Sequence, residues 1–90
     1  MDKNWVVYIL RCKDGTLYTG ITDDLQRRFK MHEAGKGAKY TRGRGPLLLV
    51  YQEPCENHSN ALRRELQIKR LKREEKMALI LSQQNKKHPE

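Results

Sequence analysis

The sequence has no apolar run long enough to span a bilayer, and cysteine, proline and tryptophan are scarce. Its two cysteines, Cys12 and Cys55, supply no disulfide framework and stand in no metal-binding spacing with histidine. The amino end shows no secretory pattern. We therefore expect a cytoplasmic protein that neither enters a membrane nor depends on disulfides.

Positive charge is what the sequence has in excess. Its 90 residues include 19 Lys and Arg against 11 Asp and Glu, a formal net charge of +8. A chain of this length forms one small domain. The excess favours a polyanionic partner, most often nucleic acid, although a solvated basic surface also explains it.

The first half of the chain predicts a hairpin, a helix and a loop. Residues 5–12 and 17–21 are rich in β-branched and aromatic residues and flank the turn Lys13-Asp14-Gly15, so they predict two antiparallel strands. Thr22 is predicted to cap a helix that ends at Gly35. The glycine-rich, basic segment that follows is interpreted as a loop.

The second half predicts one strand and a helical region. Residues 47–51 predict a third strand that Pro54 stops. A long helix is predicted to begin at Asn57 or Ser59 and to reach about Leu71, and the next ten residues continue it or form a second helix after a bend.

These elements follow one another in the order β-β-α-β-α-α. The order predicts an α+β domain with a small three-stranded antiparallel sheet flanked by helices. We assign residues 1–82 to this domain and expect residues 83–90 to form a disordered tail.

The hairpin turn decides where the tyrosines point. A two-residue turn would place Tyr8 and Tyr18 on opposite faces of the sheet. A three-residue loop with Gly15 in a left-handed conformation places them on one face, about 7–8 Å apart, with Gly20 opposite Tyr8. The second register explains the glycine, but the pattern alone leaves both open.

The first predicted helix carries two polar residues beside its apolar stripe. Leu25 and Phe29 define the stripe, and Arg28 and His32 border it. An arginine held against a sheet needs an anion, either a carboxylate or a phosphate. A structural ion pair for Arg28 and a hydrogen-bonded, partly buried His32 are the alternative.

The long helix has a carboxylate within its apolar arc. Glu65 falls there, and a buried carboxylate is costly unless it meets a cation, a donor or a metal. Lys69 offers an i,i+4 ion pair. Mg²⁺ is the other candidate, because its phosphate-bound sites use only one or two carboxylates.

Taken together, these residues resemble the GIY-YIG nuclease superfamily, and more closely its small stand-alone bacterial members. The two name-giving motifs correspond to Val6-Val7-Tyr8, with valines in place of glycine and isoleucine, and to Tyr18-Thr19-Gly20. The arginine, histidine and glutamate of the family correspond to Arg28, His32 and Glu65. The resemblance covers roughly residues 5–75.

The resemblance implies hydrolysis of phosphodiester bonds in DNA with one Mg²⁺ or Mn²⁺ ion, in DNA repair or processing. It implies that Tyr8 and Tyr18 activate water and relay protons, without deciding which is the base. A tyrosine serves as a base if a nearby cation lowers its pKa or if it belongs to a shared proton network. Arg28 is expected to supply that positive charge and to bind a phosphate oxygen. His32 holds a tyrosine hydroxyl or receives its proton, and Glu65 binds the metal ion.

The basic loop is expected to contact the DNA backbone, where charge gives affinity without sequence choice. Gly20 and Lys69 are expected beside the site as structural residues. A nucleic-acid-binding module without catalysis and a domain that meets an acidic protein are the alternative functions. The predicted DNA-contacting residues are Lys36, Lys39, Tyr40, Arg42 and Arg44.

Overall fold

The computed structural model describes residues 4–86, with side chains described to residue 84. The predicted order of strands and helices and the α+β class are confirmed. A 3₁₀ turn, Lys39–Thr41, lies within the predicted loop. The elements are β1 (Trp5–Arg11), β2 (Leu17–Thr22), α1 (Leu25–Glu33), β3 (Leu48–Cys55), α2 (His58–Lys69) and α3 (Arg73–Lys86).

The three strands form one antiparallel sheet in the order β2-β1-β3. The hairpin closes with the three-residue loop: the Gly15 N–H donates to Cys12 O at 2.9 Å, and Gly15 has a φ of +87°. Tyr8 therefore pairs with Gly20, and Leu10 pairs with Tyr18. The register that puts both tyrosines on one face is confirmed.

Two predicted boundaries are wrong. β3 continues through Pro54 to Cys55, because it is an edge strand and a proline there costs no central ladder bond. Thr22 stays in β2, and the N-cap of α1 is Asp24, whose Oδ1 accepts a hydrogen bond from the Arg27 N–H at 3.1 Å.

The helical region contains two helices separated by a bend. Asn57 caps α2, since its side chain accepts the Asn60 N–H at 2.8 Å. A break after Lys69 then precedes α3, which reaches Lys86 and passes the predicted domain limit at 82. The rest of the predicted tail lies outside the described residues.

The two faces of the sheet are covered by different helices, because successive residues of a strand point to opposite sides. Tyr8 and Leu10 of β1, with Cys12 directly after the strand, pack with Leu25 and Phe29 of α1. On the opposite face, a second core joins the sheet to α2 and α3; it consists of Val7, Ile9, Tyr51, Ile68 and Ile80. The small sheet is therefore buried on both sides along β1.

Polar contacts complete the second face. The Tyr51 hydroxyl donates to Glu53, and Arg64 Nε donates to both carboxylate oxygens of Glu53 at 3.0 and 3.1 Å. The Gln83 side-chain amide bonds both the N–H and the C=O of Gln52, which ties α3 to the outer edge of β3.

Both cysteines are free thiols, Cys12 on the first face and Cys55 on the second. None of the helices within residues 4–86 combines the length and the apolar content that crossing a membrane requires.

Candidate active site

Tyr8 and Tyr18 lie side by side beneath α1, with ring centroids 6.3 Å apart. Gly20 makes this arrangement possible. A Cβ at position 20 would lie 2.7 Å from the Tyr8 hydroxyl oxygen and 3.0 Å from the Tyr18 ring. The two phenols therefore occupy space that any other residue at position 20 would fill.

His32 joins this pair from the last turn of α1. Its Nε2 is 2.8 Å from the Tyr8 hydroxyl oxygen, and its ring packs edge-on against Tyr18 at 5.2 Å. On the other side of the ring, Nδ1 is 2.9 Å from Thr41 Oγ1. Gly37 lets the chain pass this close, because a Cβ there would lie 2.5 Å from Nδ1. The imidazole is 1% exposed and both of its nitrogens have partners.

Arg28 lies one turn before His32 and is partly buried. The Tyr8 hydroxyl is the main cause that raises the pKa of Arg28, against the effect of burial, and Tyr18 adds to it. The strongest partners of this guanidinium are thus phenols and not a carboxylate. An arginine bonded in this way keeps its full positive charge for an anion.

Burial and the charge of Arg28 act in opposite directions on the pKa of Tyr8. Burial raises it to about 12, although Arg28 acts to lower it, as expected. Burial thus outweighs Arg28 at Tyr8, and which tyrosine serves as the base stays a prediction. Burial, followed by the charge of Arg28, lowers the pKa of His32. At neutral pH the site thus pairs a protonated phenol with a neutral imidazole.

Glu65 is the predicted metal ligand. Its side chain is 19% exposed and its Oε2 lies 3.3 Å from Lys69 Nζ, so the i,i+4 ion pair does form. The charge of Glu65 also acts on Tyr8, as the least of the causes that shift the Tyr8 pKa. The two helices and the hairpin thus bring the predicted acid within electrostatic reach of the phenols.

The donor set at Glu65 is small. Among the residues that the structure describes, no three His, Cys, Asp or Glu side chains gather in a way that could hold a metal ion. A single carboxylate still fits Mg²⁺, which keeps several waters and takes oxygens from a substrate phosphate.

The predicted DNA-contacting residues lie in three places. Tyr40 is 42% exposed and its ring lies 5.9 Å from that of Tyr18. Arg44 stacks over Tyr40 at 4.8 Å and forms an ion pair with Asp14. Lys36 instead lines a depression on the outer side of α1. The remaining two, Lys39 and Arg42, are exposed on the loop.

Sequence reasoning missed some residues near the site. Thr41 was not singled out, because its partner His32 is reached only through the path of an irregular loop. Lys76 was also missed; together with the predicted residues Tyr40 and Lys69 it lines a cleft of about 250 Å³ beside Tyr18. Lys76 follows the bend between α2 and α3, so helical spacing along α2 did not place it there.

Residues 4–78 match the GIY-YIG catalytic domain, a span that contains the whole sheet, α1, α2 and every residue of the site described above. The chain therefore belongs to the GIY-YIG family, as the resemblance implied.

Within this family, the chain is similar to the small UPF0213 proteins. The UPF0213 protein of Oceanobacillus iheyensis is 55% identical over 80 residues, which make up 89% of this chain and 93% of that protein. The solution NMR structure of a UPF0213 protein from Bacillus halodurans is 52% identical, with a TM-score of 0.56 over 86% of this chain and 82% of that one. A solution NMR structure from E. faecalis is 34% identical, with a TM-score of 0.64 over 99% and 94%.

Proposed function

We propose that this protein is a divalent-metal-dependent endonuclease that hydrolyses phosphodiester bonds in DNA. The observation that carries the proposal is the Tyr8 hydroxyl, held between the His32 imidazole at 2.8 Å and the Arg28 guanidinium. This arrangement puts a proton donor, a proton acceptor and a cation within one small volume. Membership of the GIY-YIG family supports the same class of reaction.

The raised pKa of Tyr8 and the lowered pKa of His32 favour a relay over a resting phenolate. The attacking water gives a proton to the Tyr8 oxygen while Tyr8 passes its own proton to His32 Nε2. The water oxygen bonds to phosphorus, the bond to the leaving oxygen breaks, and that oxygen takes a proton from solvent. His32 then releases its proton, which its low pKa favours.

Arg28 and Tyr18 act on the phosphate. The guanidinium stabilises the negative charge that develops on the phosphate oxygens as the water attacks. Tyr18 is half-buried next to Tyr8, and we assign its hydroxyl to donate to a phosphate oxygen. This division makes Tyr8 the proton relay and Tyr18 the phosphate-binding phenol.

Glu65 would hold one Mg²⁺ or Mn²⁺ ion, with water and phosphate oxygens completing the shell. The ion, when bound, supplies charge stabilisation to the phosphate and to the leaving oxygen. Lys69 pairs with Glu65 at 3.3 Å and orients the carboxylate before the ion arrives.

The DNA backbone would cross the exposed side of the site. Tyr40 and Arg44 stack beside Tyr18, and the net charge of +8 attracts phosphates to this surface. Lys39 and Arg42 extend it along the loop. Such contacts bind without reading sequence, which suits a role in DNA repair or processing within the cytoplasm.

The test is cleavage of plasmid DNA by the purified protein with Mg²⁺, with Mn²⁺ and with a chelator. We expect metal-dependent cleavage that Glu65→Ala abolishes and that Tyr18→Phe strongly reduces. The exposed Glu74→Gln on α3 is the matched control and keeps full activity. Cleavage unchanged by Glu65→Ala and Tyr18→Phe would point to a contaminant and contradict the proposal.

A nucleic-acid-binding module without catalysis is the second candidate. The Glu65–Lys69 ion pair favours it, because the carboxylate already has a cation. In that case DNA binding falls steeply with salt while no condition yields cleavage. Absence of DNA binding at physiological salt would leave the third function, a basic face that meets an acidic protein.

A further inference from the structure

Thr41 lies at the far end of the hydrogen-bond chain that begins at Tyr8. Its side chain is 2% exposed, and its Oγ1 is 2.9 Å from His32 Nδ1. The same hydroxyl donates to the carbonyl oxygen of Ala38 at 3.0 Å. A threonine hydroxyl has one proton, so a hydroxyl that donates to Ala38 has only lone pairs left for His32.

This assignment of donors and acceptors determines the tautomer of His32. Because the Thr41 oxygen accepts, His32 Nδ1 must carry a proton and donate it. A neutral imidazole has one N–H, so Nε2 then presents a lone pair to Tyr8. The Tyr8 hydroxyl then donates its proton to Nε2 at 2.8 Å, which is the direction that the relay needs.

A second contact favours the opposite tautomer. The Ala38 N–H points at His32 Nδ1 at 3.5 Å, and a donor there favours an unprotonated Nδ1. At 3.5 Å this contact is at the long limit of a hydrogen bond, while the Thr41 contact at 2.9 Å is of ordinary length. The shorter contact with the Thr41 hydroxyl therefore determines the tautomer of His32.

We propose that Thr41 is a positioning residue that holds neutral His32 in the Nδ1–H tautomer, so that Nε2 is free to take the Tyr8 proton. The role in catalysis rests on the proposed nuclease function, but the tautomer itself does not. The same threonine belongs to the basic loop, between Tyr40 and Arg42. The loop proposed to contact DNA thus also orients the base of the relay.

The experiment reads the tautomer directly, from the ¹⁵N chemical shifts of the imidazole nitrogens in labelled protein. At about pH 8, above the ordinary histidine pKa of about 6.5, the buried ring is neutral. The imidazole signals that disappear in His32→Gln belong to His32, which distinguishes them from those of His58 and His88. The titratable and charged groups that face the ring are Tyr8 and Tyr18 from the hairpin and Arg28 from its own helix.

Two variants separate the hydroxyl from the shape of the side chain. Thr41→Val keeps the volume, and the Ala38 oxygen keeps a bond because it also accepts the N–H of residue 41 at 3.1 Å. In this variant the Ala38 N–H is the remaining partner of Nδ1, so we expect the proton to move to Nε2. Thr41→Ser keeps the hydroxyl and should keep the tautomer of the native protein.

We further expect Thr41→Val to slow cleavage roughly a hundredfold, since general acid–base catalysis typically contributes 10²–10⁴, while Thr41→Ser retains most of the rate. An unprotonated Nδ1 in the native protein would overturn the proposal, even if no variant folds. Retention of the Nδ1 proton in Thr41→Val would overturn the role of Thr41. Failure of the native protein to cleave DNA would contradict the nuclease function and leave the tautomer result standing.

Discussion

Two clusters of arginine and tyrosine lie on opposite faces of the sheet, and they differ in one component. On the face of α2 and α3, Arg64 and the Tyr51 hydroxyl both bond the carboxylate of Glu53. On the face of α1, Arg28 has the phenols of Tyr8 and Tyr18 as its strongest partners. The first cluster neutralises its own charge, whereas the second keeps a positive charge beside the buried Tyr8–His32 pair.

Under the proposed function, this difference separates stability from chemistry within one small sheet. The cluster with a carboxylate already has its anion, so we expect it to contribute to the fold alone. The cluster without a carboxylate is then the one expected to bind an anion such as a phosphate. Matched substitutions in the two clusters therefore test the assignment, and we expect the following effects, from the largest to the smallest.

Removal of a phenol hydroxyl should separate the clusters most clearly. We expect Tyr8→Phe to reduce the cleavage rate by roughly 10²–10⁴, because it removes the group that transfers the proton. Tyr51→Phe should leave the rate unchanged and lower the free energy of unfolding by about 1 kcal/mol, the worth of one hydrogen bond. The measurements are initial cleavage rates and urea unfolding, and equal rates for both variants would contradict the comparison.

Neutralising the arginines should give a similar contrast. Arg28→Gln should slow cleavage by roughly 10²–10³, the usual cost of losing one donor to developing charge. Arg64→Gln should instead destabilise the fold by about 1 kcal/mol and leave cleavage intact, because the pair with Glu53 is partly exposed to solvent. Loss of cleavage in a folded Arg64→Gln variant would contradict the distinction between the two clusters.

The space beside Tyr8 offers a probe that changes no charge. Gly20→Ala forces a Cβ to within 2.7 Å of the Tyr8 hydroxyl, so the ring must shift and part from His32. We expect a loss of about 1–3 kcal/mol in unfolding free energy, typical of overpacking, together with reduced cleavage. Gly45→Ala is the control, since nothing lies within 4 Å of its Cβ. Identical unfolding curves for Gly20→Ala and Gly45→Ala would argue against close packing at position 20.

The pH dependence of stability should depend on His32. Its pKa is lowered in the folded protein, so the unfolded chain binds the proton more readily. Stability from this group is therefore full above the unfolded pKa of about 6.5 and is lost as the pH falls below it. Urea unfolding between pH 8 and pH 5 should reveal the loss in the native protein and a smaller one in His32→Gln. Parallel pH profiles for the two proteins would contradict burial of a neutral His32.

Arg44 should have the smallest effect, on DNA binding. Arg44→Gln should reduce the slope of log K against log salt concentration by about 0.9, the value for one phosphate contact. Arg63→Gln is the control and should leave the slope unchanged, because Arg63 is exposed and lies about 200° around α2 from Glu65. Fluorescence anisotropy over a salt series gives both slopes, and an unaltered slope for Arg44→Gln would remove this residue from the interface.

Much of the fold could be predicted from local chemistry. The β-branched and aromatic runs beside the Asp14-Gly15 turn predicted the hairpin, and the conformational freedom of glycine pointed to the register that was found. Helical spacing placed Arg28 and His32 beside the stripe that packs on the sheet. In each case the deciding interaction lies within a few residues of the chain, so the pattern contains it.

The errors arose where distant parts of the chain decide the outcome. A proline would stop a central strand, but β3 continues through Pro54 because it lies at an edge of the sheet. Only the strand order reveals that position. The net pKa shift of Tyr8, where burial outweighs the expected effect of Arg28, was likewise beyond the reach of the sequence. Thr41 meets His32 through a loop whose path no local pattern specifies.

The bonds from Gln83 to Gln52 have a consequence for the behaviour of the protein in concentrated solution. An open strand edge is a template on which another chain can add a strand, the first step of amyloid-like stacking. The side-chain amide of Gln83 occupies the outward N–H at 3.1 Å and the outward C=O at 2.5 Å, as a single residue of an added strand would. An incoming chain must first displace it, so one glutamine protects the middle of β3 from self-association.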